Sequence, residues 1–415
     1  MDRLVHRHDV RTYRRLFAVA EFRALFAGQL LAGWAMTVQS LALSVLVYGR
    51  TGSPLLAAVA YLGGYVPQAI GVAVFSSVAD RLPPRALVVG SDGLRAASFA
   101  LLATGVLPVS AMLVVVMTCG LGYGAIGGVR FLVLAEMLPA DGYALGRSAL
   151  TMAIGGIQIV GYAIGGSLLA AAGPIPAMWI AATAAVGGAV VDRFGLRARR
   201  PLGTGRVTVR ASWQASRALL ANQRLRRLLM AQWIPNGLVV GAEVLFVPYA
   251  GPRAGTLFIA SAAGMLAGDA VVGRWVPSAL RPRLTLPLYL LLGVPYLAFA
   301  TRPPLLLATV IVAFASLGYG GTLALQQLYA DALAPAQRGH AFSLAAAGQL
   351  SAQGVTAWAA GALALALPVG GAMAVTAALS ILASVVLTHP SRIAAGTGPD
   401  SAAVHRLITE GEAAR

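Results

Sequence analysis

VADRLPPRAL, residues 78–87, returns in altered form as VVGRWVPSALRPRL at residues 271–284. Each is a short arginine-bearing turn between two long apolar stretches. A second pair follows at the same offset, AEMLPADGYALGRSAL (135–150) against ADALAPAQRGHAFSL (330–344). Arg81 to Arg274 is 193 positions and Pro139 to Pro335 is 196, so both markers give a period near half of the 415 residues. Internal duplication of a hydropathy pattern marks a membrane chain built from two related halves, with its site at their interface.

Composition points the same way. Apolar residues make up 58% of the chain and charged residues 11%, against roughly 25% in a soluble domain. The net charge of +17 comes wholly from arginine, since the 31 basic residues include no lysine. The single Cys119 excludes an intramolecular disulfide. No cleavable leader is visible, because the polar, arginine-rich first 23 residues run directly into a long apolar span.

A crossing helix needs about 20 mainly apolar residues. Apolar runs predict twelve spans, six near 24–48, 55–79, 86–106, 109–134, 148–172 and 175–195. The other six fall near 228–250, 254–276, 284–300, 304–328, 340–364 and 367–388. The expected fold is therefore an all-α polytopic membrane protein of two pseudo-symmetric six-helix halves. Its parts are a cytoplasmic N-terminal segment (1–23), two bundles (24–195 and 228–388), a linker (196–227) and a cytoplasmic tail (389–415).

Arginine asymmetry orients the chain. With both termini in the cytoplasm, only Arg50, Arg253 and Arg302 fall on outer turns. The expected location is the cell inner (plasma) membrane. The stretch 193–227 holds ten arginines with Trp213, Leu219, Leu220 and Leu225 among them, the pattern of an interfacial amphipathic helix. Positive-inside bias already accounts for this charge, so no nucleic-acid partner is expected.

The twelve-span duplication and the DR…R turn resemble the major facilitator superfamily. FRALFAGQLLAGW (22–34), YGRTGSPLLAAVAYLGGYVPQ (48–68) and VADRLPPRALVVGSDGLRA (78–96) are most similar to its enterobactin-exporter-like, transmembrane secretion effector branch of drug and siderophore exporters. In that family's gating turn, Ser76 here takes the place of a glycine. Asp80, Arg81 and Arg85 match, and Ala86 replaces a final arginine. Such a turn works as a charge latch, its arginines binding carboxylates of neighbouring helices in one conformation. Asp92, Arg95, Arg130, Glu136 and Arg274 are expected near the same membrane face to complete it. Neutralising Asp80 or Asp92, or removing Arg130, is expected to cut transport while leaving insertion and binding largely intact. In GGIQIVGYAIGG (155–166), Tyr162 stands where exporters of the family carry proline; close helix approach through small residues is the ordinary reading of such a run.

A carboxylate inside the membrane costs about 2.5–3.5 kcal/mol on insertion scales and marks function by default. Asp92 and Asp269 sit toward span ends with arginines nearby in sequence, which suits latch or structural roles. Glu243 stands apart, with no basic residue nearer than Arg253. Burial without a countercharge favours its neutral form, which suits a proton carrier; Asp269 is the second coupling candidate. Trp34, Gln39, Tyr65, Gln68, Gln158, Trp233, Asn236, Tyr296, Gln326, Gln327, Gln349 and Trp358 are candidates for an amphipathic central cavity, each weighed against a role in helix packing.

No enzyme is expected. The five histidines are scattered without metal-ligand spacing, and a chain without lysine cannot hold a phosphate-binding loop ending in that residue. No cofactor is expected beyond a proton gradient. The sequence therefore predicts a secondary exporter of a drug-like compound or natural product, a functional monomer whose partners are a small-molecule substrate and the bilayer. A proton-coupled importer of a small nutrient, or a lipid-handling or sensor protein, are the alternatives on the same fold.

Overall fold

A computed structural model describes residues 12–79, 82–126, 128–138, 140–199, 209–277, 279–333 and 337–388. Asp80, Arg81, Pro139 and Pro335 lie outside the described residues, as do the side chains of Ser76 and Gln158. Among the described residues every regular element is helical.

The first half holds α1 (Tyr13–Ala18), α2 (Ala20–Thr51), α3 (Pro54–Leu62), α4 (Tyr65–Ala79), α5 (Pro84–Ala103), α6 (Val109–Ile126), α7 (Val129–Met137), α8 (Ala140–Ala172) and α9 (Pro174–Gly195). The linker supplies α10 (Val209–Ala221). The second half holds α11 (Gln223–Glu243), α12 (Phe246–Ala250), α13 (Ala254–Trp275), α14 (Arg281–Gly293), α15 (Leu305–Ser316), α16 (Gly321–Asp331), α17 (Arg338–Ala366) and α18 (Val369–Thr388). Short 3-10 segments cover Gly251–Arg253, Val294–Thr301 and Leu317–Gly320.

Local chemistry sets the turns. Gly52 ends α2 in the left-handed region at φ 62°, where a side chain would be strained. One residue on, the Ser53 hydroxyl accepts from Leu56 N and Pro54 opens α3. Two residues thus reverse the chain. Asn222 caps α11 in the same manner, accepting from Arg224 N and Leu225 N.

Nine stretches among the described residues are long and apolar enough to cross a membrane. One of them, Gln223–Trp275, holds 53 residues, far more than a roughly 30 Å core needs, and turns back at Gly251 to make two crossings. α8 and α17 complete the twelve spans that the sequence predicts. Pairings repeat between halves. α2 packs on α8 and α9 as α11 packs on α17 and α18, and α4 meets α6 as α13 meets α15. Across the interface α8 lies on α13, and α17 lies on α3 and α4.

The halves touch closely on the face opposite the termini. A Cβ on Gly255 would come 2.7 Å from Gly166 Cα, and one on Gly361 would come 2.8 Å from Leu55 Cα. Only glycine lets the backbones meet so closely. Gly161 and Gly165 sit against Thr37 and Val38 in the same way, so the glycine run of α8 is a packing surface. Tyr162 has its own contacts there, 2.7 Å from the Tyr61 hydroxyl and stacked on Phe258 at 4.9 Å.

Candidate functional site

On the terminus side of these contacts a cavity of about 600 Å³ opens between the halves. Tyr61, Tyr65, Tyr162, Phe258 and Tyr319 form its aromatic wall, with Met36 and Met265 beside them. Asn236, Gln326, Gln349 and Gln353 supply amides, and Glu243 and Asp269 supply carboxyls. Among the described residues no arginine lines it.

Glu243 is the last residue of α11, just before the chain loosens at Val244. Its Oε1 accepts from Ser261 Oγ at 2.6 Å and from Tyr296 and Tyr319 hydroxyls at 3.2 Å each. Tyr296 and Tyr319 both come from 3-10 segments inside their spans, so local unwinding aims them at one carboxyl oxygen. Ser316 donates to Ser261 behind them at 3.2 Å. Among the described residues Oε2 has no hydrogen-bond partner and is left for the cavity. A proton can therefore come and go on Oε2 without dismantling the hydroxyl cradle on Oε1.

Asp269, a candidate for either a latch or a coupling role, faces the shared cavity. No ion pair to it is present among the described residues. Arg274 is five positions on, about 140° around the helix, and is exposed. Among the described residues Arg274 joins no charge cluster.

The amides are organised. Gln349 and Gln353 both donate to Asn236 Oδ1, at 3.3 and 2.8 Å. Four of the cavity candidates, Tyr65, Asn236, Gln326 and Gln349, line it directly, while Tyr296 acts on it through Glu243. Trp233 instead ties helices together, donating to Ala345 O at 2.8 Å. Trp34 and Trp358 pack against the main apolar core, their indole N–H groups without a hydrogen-bond partner among the described residues. Gln39 and Gln68 line a small separate pocket within the first half, and Gln327 accepts from Arg281 at 3.5 Å.

Two charge clusters occupy the terminus end of the first half. Asp92 on α5 pairs with Arg95 at 2.6 Å and with Arg130 of α7 at 2.6 Å. The same Arg130 nitrogen reaches Asp192 of α9 at 2.7 Å, and its other nitrogen donates to Leu25 O of α2 at 3.4 Å. A Cβ on Gly28 would lie 2.4 Å from the Asp192 carboxylate, so glycine there makes room for it. Asp192 is central to the cluster and absent from the sequence-based set. In the second cluster Glu21 takes a bidentate pair from Arg199 (2.5 and 2.9 Å) and the Arg197 N–H at 2.9 Å. Glu136 joins this cluster, 3.2 Å from Arg199 Nε, and not the Asp92 group. Arg85 donates to the Arg193 carbonyl, tying the foot of α5 to that of α9.

The membrane-spanning bundle and the shared cavity between its halves define a secondary transporter. Residues 25–337 match the model of the Major Facilitator Superfamily, and the chain belongs to that family. No curated protein gives a significant sequence match. Among solved structures it is similar to the xylose transporter XylE from E. coli in an inward-open conformation (16% identity, TM-score 0.67, covering 90% of this chain and 95% of that one). It is similar also to a bacterial homologue of the human lysosomal transporter Spinster, inward-facing and unoccupied (14%, TM-score 0.66, 91% and 96%). A POT family transporter in complex with 5-aminolevulinic acid gives a TM-score of 0.70 at 12% identity, covering 90% and 96%. At these identities the likeness is one of fold.

Proposed function

We propose that the protein is a proton-coupled exporter of bulky, partly apolar, neutral or cationic compounds, working by alternating access. The observation that carries this reading is the cavity wall: among the described residues it offers aromatic, thioether and amide groups with two carboxyls and no basic side chain. Such a wall suits a cation or a neutral amphipath, through aromatic faces and carboxylates, and disfavours phosphates and carboxylic acids. Glu243 is the proton carrier, with Asp269 nearer the open side. The Asp92 and Glu21 clusters hold the first half rigid while it moves against the second.

With both termini cytoplasmic, as the arginine asymmetry requires, the cavity faces inward. Cysteines placed at Ser53 and Thr301 in a Cys119→Ala background should then react with an impermeant thiol reagent from outside, and one at Gly205 should not. External labelling at Gly205 would reverse the orientation.

The outward direction rests on the resemblance of residues 22–96 to drug and siderophore exporters. The cargo class rests on the cavity and excludes anionic siderophores from it. In inverted membrane vesicles energised by respiration, ethidium and tetraphenylphosphonium should accumulate, and benzoate or a sugar phosphate should not. Accumulation of the anions alone would overturn the assignment of cargo.

A further inference from the structure

Three arginines break the charge asymmetry by lying at the face opposite the termini, and among the described residues only Arg50 has a side-chain partner. Arg50 donates to Gly105 O at 2.7 Å and to Leu107 O at 3.1 Å, which ties the end of α2 to the turn after α5. Arg253 and Arg302 have no such use: among the described residues neither guanidinium meets a carboxylate or a carbonyl. Both instead line one pocket of about 510 Å³ together with Tyr249, Leu305 and Gly370.

The turns on this face, 51–53, 104–108, 173, 251–253, 301–304 and 367–368, contain no Asp or Glu. The chain therefore offers no countercharge to this arginine pair. The position of Arg302 is also fixed at a cost. It is the sole non-glycine residue with positive φ (54°) among the described residues, and Tyr249 donates to the next carbonyl, of Pro303, at 2.5 Å. Below the arginines the pocket rim continues at Leu305 onto the outward face of α15, where Leu306 is 81% exposed and Leu307 and Val310 are exposed beside it. A cationic pocket at the end of an apolar, lipid-facing helix has the shape of a headgroup site.

We propose that Arg253 and Arg302 bind the phosphate of an anionic phospholipid in the leaflet opposite the termini, with its acyl chain along α15. Guanidinium groups recognise phosphate by paired, charge-assisted hydrogen bonds, and basic groups near the surface attract anionic lipid. The site is separate from the cargo cavity, so the inference stands whether or not the exporter reading holds.

Native mass spectrometry of the full chain, released from detergent and titrated with phosphatidylglycerol, tests it. The basic linker will hold lipid in every variant, so the readout is the loss of one tight binding step. Arg253→Gln with Arg302→Asn, chosen because asparagine tolerates the left-handed region, should bind that lipid about tenfold more weakly. Arg253→Lys with Arg302→Lys should lie between. Inorganic phosphate at millimolar concentration should fail to displace the lipid. Equal lipid binding by the wild type and the Gln/Asn variant would overturn the site. Full displacement by inorganic phosphate would assign the arginines to a free anion and overturn the lipid.

Discussion

Glu243→Gln should abolish accumulation driven by a pH gradient while preserving the folded protein and its affinity for a lipophilic cation at the neutral-site level. The glutamine keeps a carbonyl oxygen to accept from Ser261, Tyr296 and Tyr319, so the cradle on Oε1 survives. What it loses is the oxygen on which the proposed carrier would exchange its proton. Glu243→Leu should behave differently. It strands three buried hydroxyls, each costing about 1–3 kcal/mol when left unsatisfied, so it should lose thermal stability as well as transport. The pair of variants separates the two roles. If the Gln variant concentrates cargo against a pH gradient as the wild type does, Glu243 is a structural acceptor and Asp269 becomes the carrier to test.

The second large effect is on stability. Arg130→Met removes the shared partner of Asp92 and Asp192, whose side chains are 1% and 0% exposed. Breaking a buried ion pair from one side leaves uncompensated charge and costs about 3–5 kcal/mol. The purified variant should unfold at a markedly lower temperature in detergent. Adding Asp192→Asn should recover much of the loss, since Asp192 is the carboxylate left without a countercharge while Asp92 keeps Arg95 at 2.6 Å. A melting temperature equal to that of the wild type in the single variant would mean that the cluster contributes nothing to the fold. This geometry adds a stability cost to the expectation drawn from sequence, that removing Arg130 cuts transport while leaving insertion and binding largely intact. An arginine joining α2, α5, α7 and α9 holds the half together in this conformation, whatever else it does during transport.

The twelve-span architecture was legible because a bilayer forces it: apolar runs of fixed length, glycine and proline at the turns, and arginine on one side. Glu243 was legible for a related reason, as a lone carboxyl in an apolar run. Its partners were not. Ser261, Tyr296 and Tyr319 come from three other spans, and the two tyrosines reach it only because their helices tighten into 3-10 turns. No local pattern announces that convergence. Asp192 is hidden in the sequence because it precedes Arg193 where the sixth span ends, and a charge there reads as a boundary. Its signal lay at Gly28, a glycine on a packed helix whose missing side chain leaves room for a carboxylate. The tryptophan candidates show the converse limit. On a helix apolar all round, sequence cannot tell which face meets the cavity, and Trp34, Trp233 and Trp358 turned to neighbouring helices.

The central claim is that cargo and protons move through one shared cavity in exchange. Purified protein in proteoliposomes, carrying a pH-sensitive dye inside and an imposed pH gradient, tests it most directly. Addition of tetraphenylphosphonium or ethidium should dissipate the gradient, in proportion to cargo moved, in wild-type vesicles and not in Glu243→Gln vesicles. Cargo that binds the wild-type protein yet moves no protons, at any gradient, would contradict the account and leave a binding protein on a transporter fold.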